Sequence, residues 1–511
     1  MEKIRILIPP ENFSEESFLN DLNARFRLRQ EAQISIEKTY FDTFDWRLYN
    51  EGLVLENIGK YYYLNALTDD TRIASIALEQ PPEFLWDLPD SSLKKTLDPI
   101  IEMRALLKLF ALNIQSQSIR ILNTEQKTVV RLVIEKIAIS DANASEVWQH
   151  LRLIPLRGYD KQFQSLSAYL TEFRFTPTSD SIYLQTLTLL GKSPGKYSAK
   201  LNLQLEPNMR ADEAAKIIYR YLLDVMKANE GGIKKDIDTE FLHDFRVSVR
   251  RTRSALSQIK DVFPADMTNR FKEEFRFVGR MSNDLRDLDV YLLSADDYRN
   301  LLPLALHPDI DPLFEFLKQE RGKALKTVID GLNSEKYHQI IRGWETYINR
   351  PPEASPDAAN AAIPIIDLAK ARIYKRYRAI IKEGKAITDA SPDASLHELR
   401  IECKKLRYLL EFFSSLFPRH KIQMLVKQLK KLQDNLGRFQ DLCIQEESLM
   451  QFSNDAEFSG SEHSKTMVAI GCLVGKLDIE KQSVRNTFEE RFANFASAEN
   501  LQLFSELFKN S

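Results

Sequence analysis

The chain has 511 residues, more than a single hydrophobic core usually serves, so two or more domains are expected. With 43% hydrophobic, 10% aromatic and 28% charged residues, its composition excludes a disordered or collagen-like chain, and no uncharged apolar stretch approaches the roughly 20 residues that cross a bilayer. Lys and Arg number 71 against 73 Asp and Glu, a net charge of -2 that advertises no polyanion partner, so any anion site must come from local segregation of charge.

In chain order, the first two hundred residues read mostly as strands. IRILIP (4–9), LVLENI (53–58), YYYLNALT (61–68), IASIAL (73–78), SIRILN (118–123) and TVVRLVIEKIAI (128–139) are short, rich in β-branched and aromatic residues, and broken by polar turns. Two helices interrupt them, EESFLNDLNARFRL near the start and DKQFQSLSAYLTEF at 160–173, the latter with Phe163, Leu166, Tyr169 and Leu170 on one stripe. This half is α+β. From about residue 209 the pattern becomes helical and stays so, as in 211–229, 312–332 and 369–385. GKSPGKYSAK (191–200) has the composition of a linker, and NRPPEASPDAANAA (349–362) divides the helical part in two. The expected organisation is a first domain over 1–190, a linker over 191–208, and a helical domain over 209–505 made of repeats 209–348 and 362–505. The opening MEKIRILIPPENFSEES lacks a secretory apolar core with a cleavage site. Cys403, Cys443 and Cys472 form no disulfide framework and no zinc spacing. A cytoplasmic protein without cofactor, metal or membrane attachment is the expectation.

The helical halves repeat at an offset of 154 residues. LHDFRVSVRRTRSAL (242–256) aligns with LHELRIECKKLRYLL (396–410), and without a gap Phe263-Pro264 then meets Phe417-Pro418 and Asp287-Leu288 meets Asp441-Leu442. At 100° per residue His243, Arg246, Arg250 and Arg253 share one face, flanked by Arg251, while Leu242, Phe245, Val249, Thr252 and Leu256 form the adjoining core stripe. The second copy sets His397, Arg400, Lys404 and Arg407 on the strip, Lys405 beside it, and Leu396, Leu399, Cys403, Leu406 and Leu410 on the stripe. Stacked cations repel, and the strips themselves contain no carboxylate. Arg presents a fork of donors to phosphate oxygens and Lys a point charge, so a ladder of phosphates suits this pattern. One basic helix face is ordinarily a solvated surface; two with identical spacing argue for a site. Lys370, Arg372 and Arg376, in the run AKARIYKRYR (369–378) with Lys375 and Arg378, are candidates to extend it.

The twice-repeated pattern H-x-x-R-[VI]-x-x-[RK]-[RK]-x-R resembles the CHAD domain (conserved histidine α-helical domain), over about 209–505 with LRDLDV at 285–290. The resemblance implies two related four-helix bundles whose basic surface binds inorganic polyphosphate, association with polyphosphate granules, and phosphate contacts from His243, Arg246, Arg250, Arg251, Arg253, His397, Arg400, Lys404, Lys405 and Arg407. Gln440 and Cys443 stand where the first copy has Arg286 and Asp289, which weakens a role for those positions; Asp287 and Asp441 read better as a helix cap or internal salt bridge. The N-terminal half is similar to the CYTH, or triphosphate-tunnel, fold in TYFDTFDWRLYNEGLVLE (39–56) and in the strand-to-helix junction LRGYDKQF (156–163). That implies an antiparallel tunnel or barrel-like sheet. Active members hold a metal on a first-strand Glu-x-Glu-x-Lys, whereas this chain reads Glu2-Lys3-Ile4-Arg5-Ile6, has Glu56 and Asn57 where arginines are expected, and lacks paired glutamates in LRLIPLRG. The domain is therefore expected to be degenerate, with no catalytic residue.

Three readings follow. The first is non-catalytic binding of polyphosphate. The second is a metal-dependent triphosphatase or cyclase built on carboxylates such as Glu135 or Asp160. The third is a general polyanion or nucleic-acid binder; the strips carry no aromatic platform for bases, though duplex backbone binding needs none.

Overall fold

A computed structural model describes residues 4–140, 147–178, 180–195, 197–351, 356–455 and 460–509. Glu2 and Lys3 lie outside the described residues, as do Lys196 of the expected linker and 352–355 of the second interruption. The chain divides into two compact units, Met1–Tyr197 and Ser198–Ser511.

The first unit is one ten-stranded antiparallel sheet with helices. Its elements are β1 (Arg5–Ile8), α1 (Glu15–Arg25), β2 (Arg27–Gln30), β3 (Ile34–Asp42), α2 (Arg47–Asn50), β4 (Leu53–Ile58), β5 (Tyr61–Ala66), β6 (Arg72–Ala77) and α3 (Ser92–Ile101). There follow β7 (Leu107–Leu122), β8 (Thr128–Ile139), β9 (Val147–Pro155), α4 (Asp160–Glu172), β10 (Thr176–Thr178) and α5 (Ile182–Leu189). The strand path is β10-β1-β9-β8-β7-β3-β4-β5-β6, with β2 paired to β7. The long strands β7 and β8 join in a hairpin running from Leu112↔Ile139 to Leu122↔Thr128 and form its spine. Residues from eight strands, β1 and β3 to β9, line one cavity of about 310 Å³, so the sheet curls around an interior. Phe163, Leu166, Tyr169 and Leu170 of α4 are buried against Leu132 and Leu151 on the outer face, with Phe18 and Leu22 of α1. On the other wing Leu93 and Leu97 of α3 pack with Leu55 and Leu64, and Tyr183 and Leu187 of α5 close on Tyr40, Phe110 and Ile137. The β3–α2 turn is fastened by buried Asp42, which accepts the backbone N–H groups of Thr43, Leu48 and Tyr49 at 2.7–3.0 Å.

The second unit is helical: α6 (Ala211–Lys234), α7 (Thr239–Gln258), α8 (Ala265–Arg280), α9 (Asn283–Leu293), α10 (Ala295–Leu301), α11 (His307–Asn333), α12 (Glu335–Asn349), α13 (Ile365–Lys385), α14 (Asp393–Phe412), α15 (Arg419–Asp455), α16 (Gly460–Asn486), α17 (Phe488–Phe495) and α18 (Ala498–Phe508). The sequence offset of 154 reappears in the helix ends. Ala211 and Ile365, Thr239 and Asp393, and Ala265 and Arg419 open helices, while Gln258 and Phe412 close α7 and α14. Both core stripes are buried: Leu242, Phe245, Val249, Thr252 and Leu256 on α7, and Leu396, Leu399, Cys403, Leu406 and Leu410 on α14. Glycine lets α6 and α7 approach closely, since a Cβ at Gly232 would meet the Phe241 ring at 2.1 Å.

The repeats differ at one joint. α8 and α9 are separated at Met281–Ser282, whereas α15 runs through the equivalent point unbroken. The copies also share a core, in which Leu288, Tyr291, Leu313 and Leu317 of α9 and α11 pack with Leu442, Leu449, Leu473 and Leu477 of α15 and α16. Among the described residues no helix is long and apolar enough to cross a membrane.

Candidate anion-binding interface

α7 starts where Asp238, outside the helix, accepts the N–H groups of Glu240 and Phe241 at 3.0 and 3.2 Å. With its apolar stripe fixed in the core, the helix has one remaining orientation for its arginines. α7 packs directly against α14, and the two basic strips feel one another: Arg250 is a cause of the depressed pKa of both Arg400 and Lys404. Lys404 is pushed down to about 8, first by burial, then by Arg400 and Arg250. A fold that buries like charges beside each other holds a standing attraction for an anion.

In the first repeat this attraction has a defined place. A cleft of about 260 Å³ between α7 and α8 is lined by Arg246, Arg250, Arg253, Arg276 and Arg280, together with Gly279 and Asn283; none of these is acidic. Arg246 is held at the floor. Its guanidinium donates to the Gly279 carbonyl at 3.3 Å, Ser282 Oγ at 2.9 Å and Asn283 Oδ1 at 3.0 Å, all at the α8–α9 joint. Burial, then Arg250, pushes it down to about 10. Arg253 is lowered by burial and by Arg276 and Arg280. Arg250, Arg276 and Arg280 are exposed at the rim, Arg276 within 2.7 Å of Glu273. His243 is half-buried one turn before Arg246.

Arg276 and Arg280 were not legible as site residues. Their counterparts in the second copy are Lys430 and Asp434, so the duplication keeps a cation at only one of the two positions, and beside Glu273 and Glu274 they read as a solvated helix face.

The second strip is more compensated. Arg400 lies 3.5 Å from Asp441, and its buried Nε has no hydrogen-bond partner. Leu436 and Gly437 occupy the places of Ser282 and Asn283, so the two side-chain acceptors that serve Arg246 are missing there. Arg407 bonds Glu411 at 2.7 Å, Lys405 bonds Glu402 at 2.6 Å, and exposed His397 contacts Gln440. Although the strips contain no carboxylate, Glu402 and Glu411 reach them from the flank. Glu411 also takes Arg251 at 2.8 Å, with both side chains largely buried, and Arg251 donates to the Ala199 carbonyl at 2.8 Å. Arg251 thus ties α7 to α14.

The α13 candidates point to the same framework. Arg376 joins Glu402 and donates to Gln258 at 2.7 Å; Arg372 reaches the Lys260 carbonyl at 3.4 Å and Asp261 at 3.5 Å. Lys370 is half-buried, while Lys375 and Arg378 are exposed. None of the α13 cations lines the arginine cleft. Asp441 makes the internal ion pair with Arg400 just described. Asp287 is raised by burial, against the pull of Arg246. Asp289 is buried on Arg321 at 2.7 Å, and Arg321 grips Asp236 with two bonds of 2.6 and 2.7 Å.

The cavity of the sheet unit is different in kind. Lys38 faces Glu56 at 3.3 Å, Asn65 donates to Glu56 at 3.1 Å, and Arg152 pairs with buried Glu135 at 2.8 Å. Three bases (Lys38, Arg72, Arg152) and three acids (Glu56, Asp70, Glu135) line it, and apolar Ile6 contributes from β1. There is no surplus of cations for a triphosphate. Asp160 is exposed in the first turn of α4 and does not line the cavity. Among the described residues no three His, Cys, Asp or Glu side chains assemble as a metal-binding group.

Residues 218–450 match the family model described as the CHAD domain. The crystal structure of the CHAD domain from the plant Ricinus communis superposes with a TM-score of 0.50 at 21% identity, covering 59% of this chain and 96% of that one. PptA from Streptomyces chartreusis gives a TM-score of 0.42 at 18% identity, covering 56% of this chain and 99% of its own. Two uncharacterized proteins of Mycobacterium tuberculosis, from strains CDC 1551 / Oshkosh and ATCC 25618 / H37Rv, are each 23% identical over 227 residues, 43% of this chain. The match spans 42% of the length of these curated relatives.

Proposed function

We propose, for a chain whose residues 218–450 match the CHAD domain model, that the helical unit binds inorganic polyphosphate without chemistry. The bound chain would run along the facing strips of α7 and α14, and the protein would gather on polyphosphate granules. The observation that carries this reading is the acid-free cleft of five arginines beside a second strip whose cations it depresses. Repeated anionic groups relieve several such repulsions at once, and no aromatic side chain lines the cleft to stack a base. The sheet unit serves as scaffold or docking module: its cavity cations are matched by carboxylates, and Ile6 stands where the tunnel family uses lysine.

Calorimetric titration with long-chain polyphosphate, single-stranded DNA and duplex DNA at two salt concentrations tests this. Tight polyphosphate binding that weakens steeply with salt and exceeds DNA binding is expected. The Arg250→Glu/Lys404→Glu variant should stay folded and lose it. Unchanged affinity in that folded variant refutes the site, and equal affinity for all three polymers leaves a general polyanion surface. Robust divalent-metal-dependent phosphate release from triphosphate, abolished by Glu135→Ala, would instead make the sheet unit an enzyme.

A further inference from the structure

Resting on the polyphosphate reading, we infer that the two repeats divide the work unequally. The α7–α8 cleft of the first repeat is a self-sufficient site for a compact oligophosphate, two or three linked phosphoryl groups at a chain end or in free tripolyphosphate. The second repeat holds only extended chain.

Three observations converge on this. The cleft is closed in by arginines from two helices on facing sides, Arg246, Arg250 and Arg253 from α7 and Arg276 and Arg280 from α8. Forks of donors converging from two sides suit a short anion with oxygens on every face, whereas a strip on one helix suits a line. Its volume of about 260 Å³ corresponds to about eight or nine water volumes, room for a few phosphoryl units but not for a folded polymer. The floor is preorganised: the α8–α9 break supplies the Gly279 carbonyl, Ser282 and Asn283 that hold Arg246 in place before any ligand arrives.

The second repeat has neither the break nor the second-helix arginines. Asp434 stands at the position of Arg280, Gly437 at that of Asn283, and α15 has no break at the joint. Its strip cations are also drawn to Asp441, Glu402 and Glu411. What remains is a set of partly neutralised charges on α14, with exposed Lys427 and Lys430 on α15 where the first copy has Glu273 and Arg276.

Sodium tripolyphosphate and long-chain polyphosphate, titrated into the full chain, separate the two halves. One tripolyphosphate per chain is expected. Arg276→Ala/Arg280→Ala, both exposed and outside the core, should weaken tripolyphosphate roughly tenfold or more. Lys427→Ala/Lys430→Ala removes as many charges from the second repeat; it should leave tripolyphosphate within about twofold and weaken only the long chain. Two tripolyphosphates per chain, equal losses from the two variants, or a wild type that binds long chain but not tripolyphosphate would overturn the division. A protein that binds neither ligand removes the polyphosphate reading itself.

Discussion

Lys404 shows how one residue converts crowding into a measurable signal. Burial, Arg400, Arg250 and Arg407 press its pKa down to about 8 against the opposing pull of Asp441. Between pH 8 and the ordinary lysine value of 10.5, the unfolded chain carries a proton the folded chain lacks, so this residue makes stability rise with pH across that window. Ligand binding has the opposite sign. A polyanion favours the charged ammonium, so binding near pH 8 should take up a proton, and affinity should fall roughly threefold to tenfold between pH 7 and 9. Calorimetry in buffers of different ionisation heat measures the uptake directly. Lys404→Arg, charged throughout, should flatten the profile. A wild type with no proton uptake at pH 8 would show that the ligand does not reach this side chain.

At the scale of the element, the α7–α14 contact sets stability against binding. Glu411 neutralises Arg251 and Arg407 together, with the Arg251 and Glu411 side chains only 12% and 17% exposed. Glu411→Gln should cost about 1–3 kcal/mol in denaturant unfolding, because Arg251 loses a largely buried charge partner. The same change frees one cation on the second strip and one beside the first, so polyphosphate should bind more tightly and with a steeper salt dependence. Weaker binding by the folded variant would place the ligand elsewhere. Elements also differed in how far the sequence announced them. β4 and β8 were legible to the residue because apolar, β-branched runs end in turns. Only the last third of β7 was, since LNIQSQ inserts polar residues into a strand held by partners on both sides. β2 (RLRQ) and β10 (TPT) have no apolar pattern at all and exist through pairing with β7 and β1. Duplication made the α7 and α14 strips visible. It hid Arg280, which the second copy replaces with Asp434, and it could not foresee Glu411, which lies outside the repeated motif.

At the scale of the whole molecule, the duplication is visible as sequence but does not yield two independent bodies. α9 and α11 of the first copy bury Leu288, Leu313 and Leu317 against Leu442, Leu473 and Leu477 of the second. Arg251–Glu411 and Arg376–Gln258 also join the two copies. Each repeat therefore completes its apolar surface only with the other, and the helical unit should unfold as one cooperative body. Leu473→Ala empties a fully buried position in α16 and should cost about 2–5 kcal/mol. Under hydrogen exchange the loss of protection should reach α9 and α11 as fully as α15 and α16, because the cavity opens into both copies. Loss confined to α15 and α16 would mean that the copies fold separately. In that case the facing strips would be held together by surface contacts alone, and a polyphosphate chain spanning them would have to organise the second repeat on arrival. One cooperative unit instead presents both strips in register before the ligand comes, which removes that ordering cost and favours tight binding of a polymer whose own conformational entropy must still be overcome.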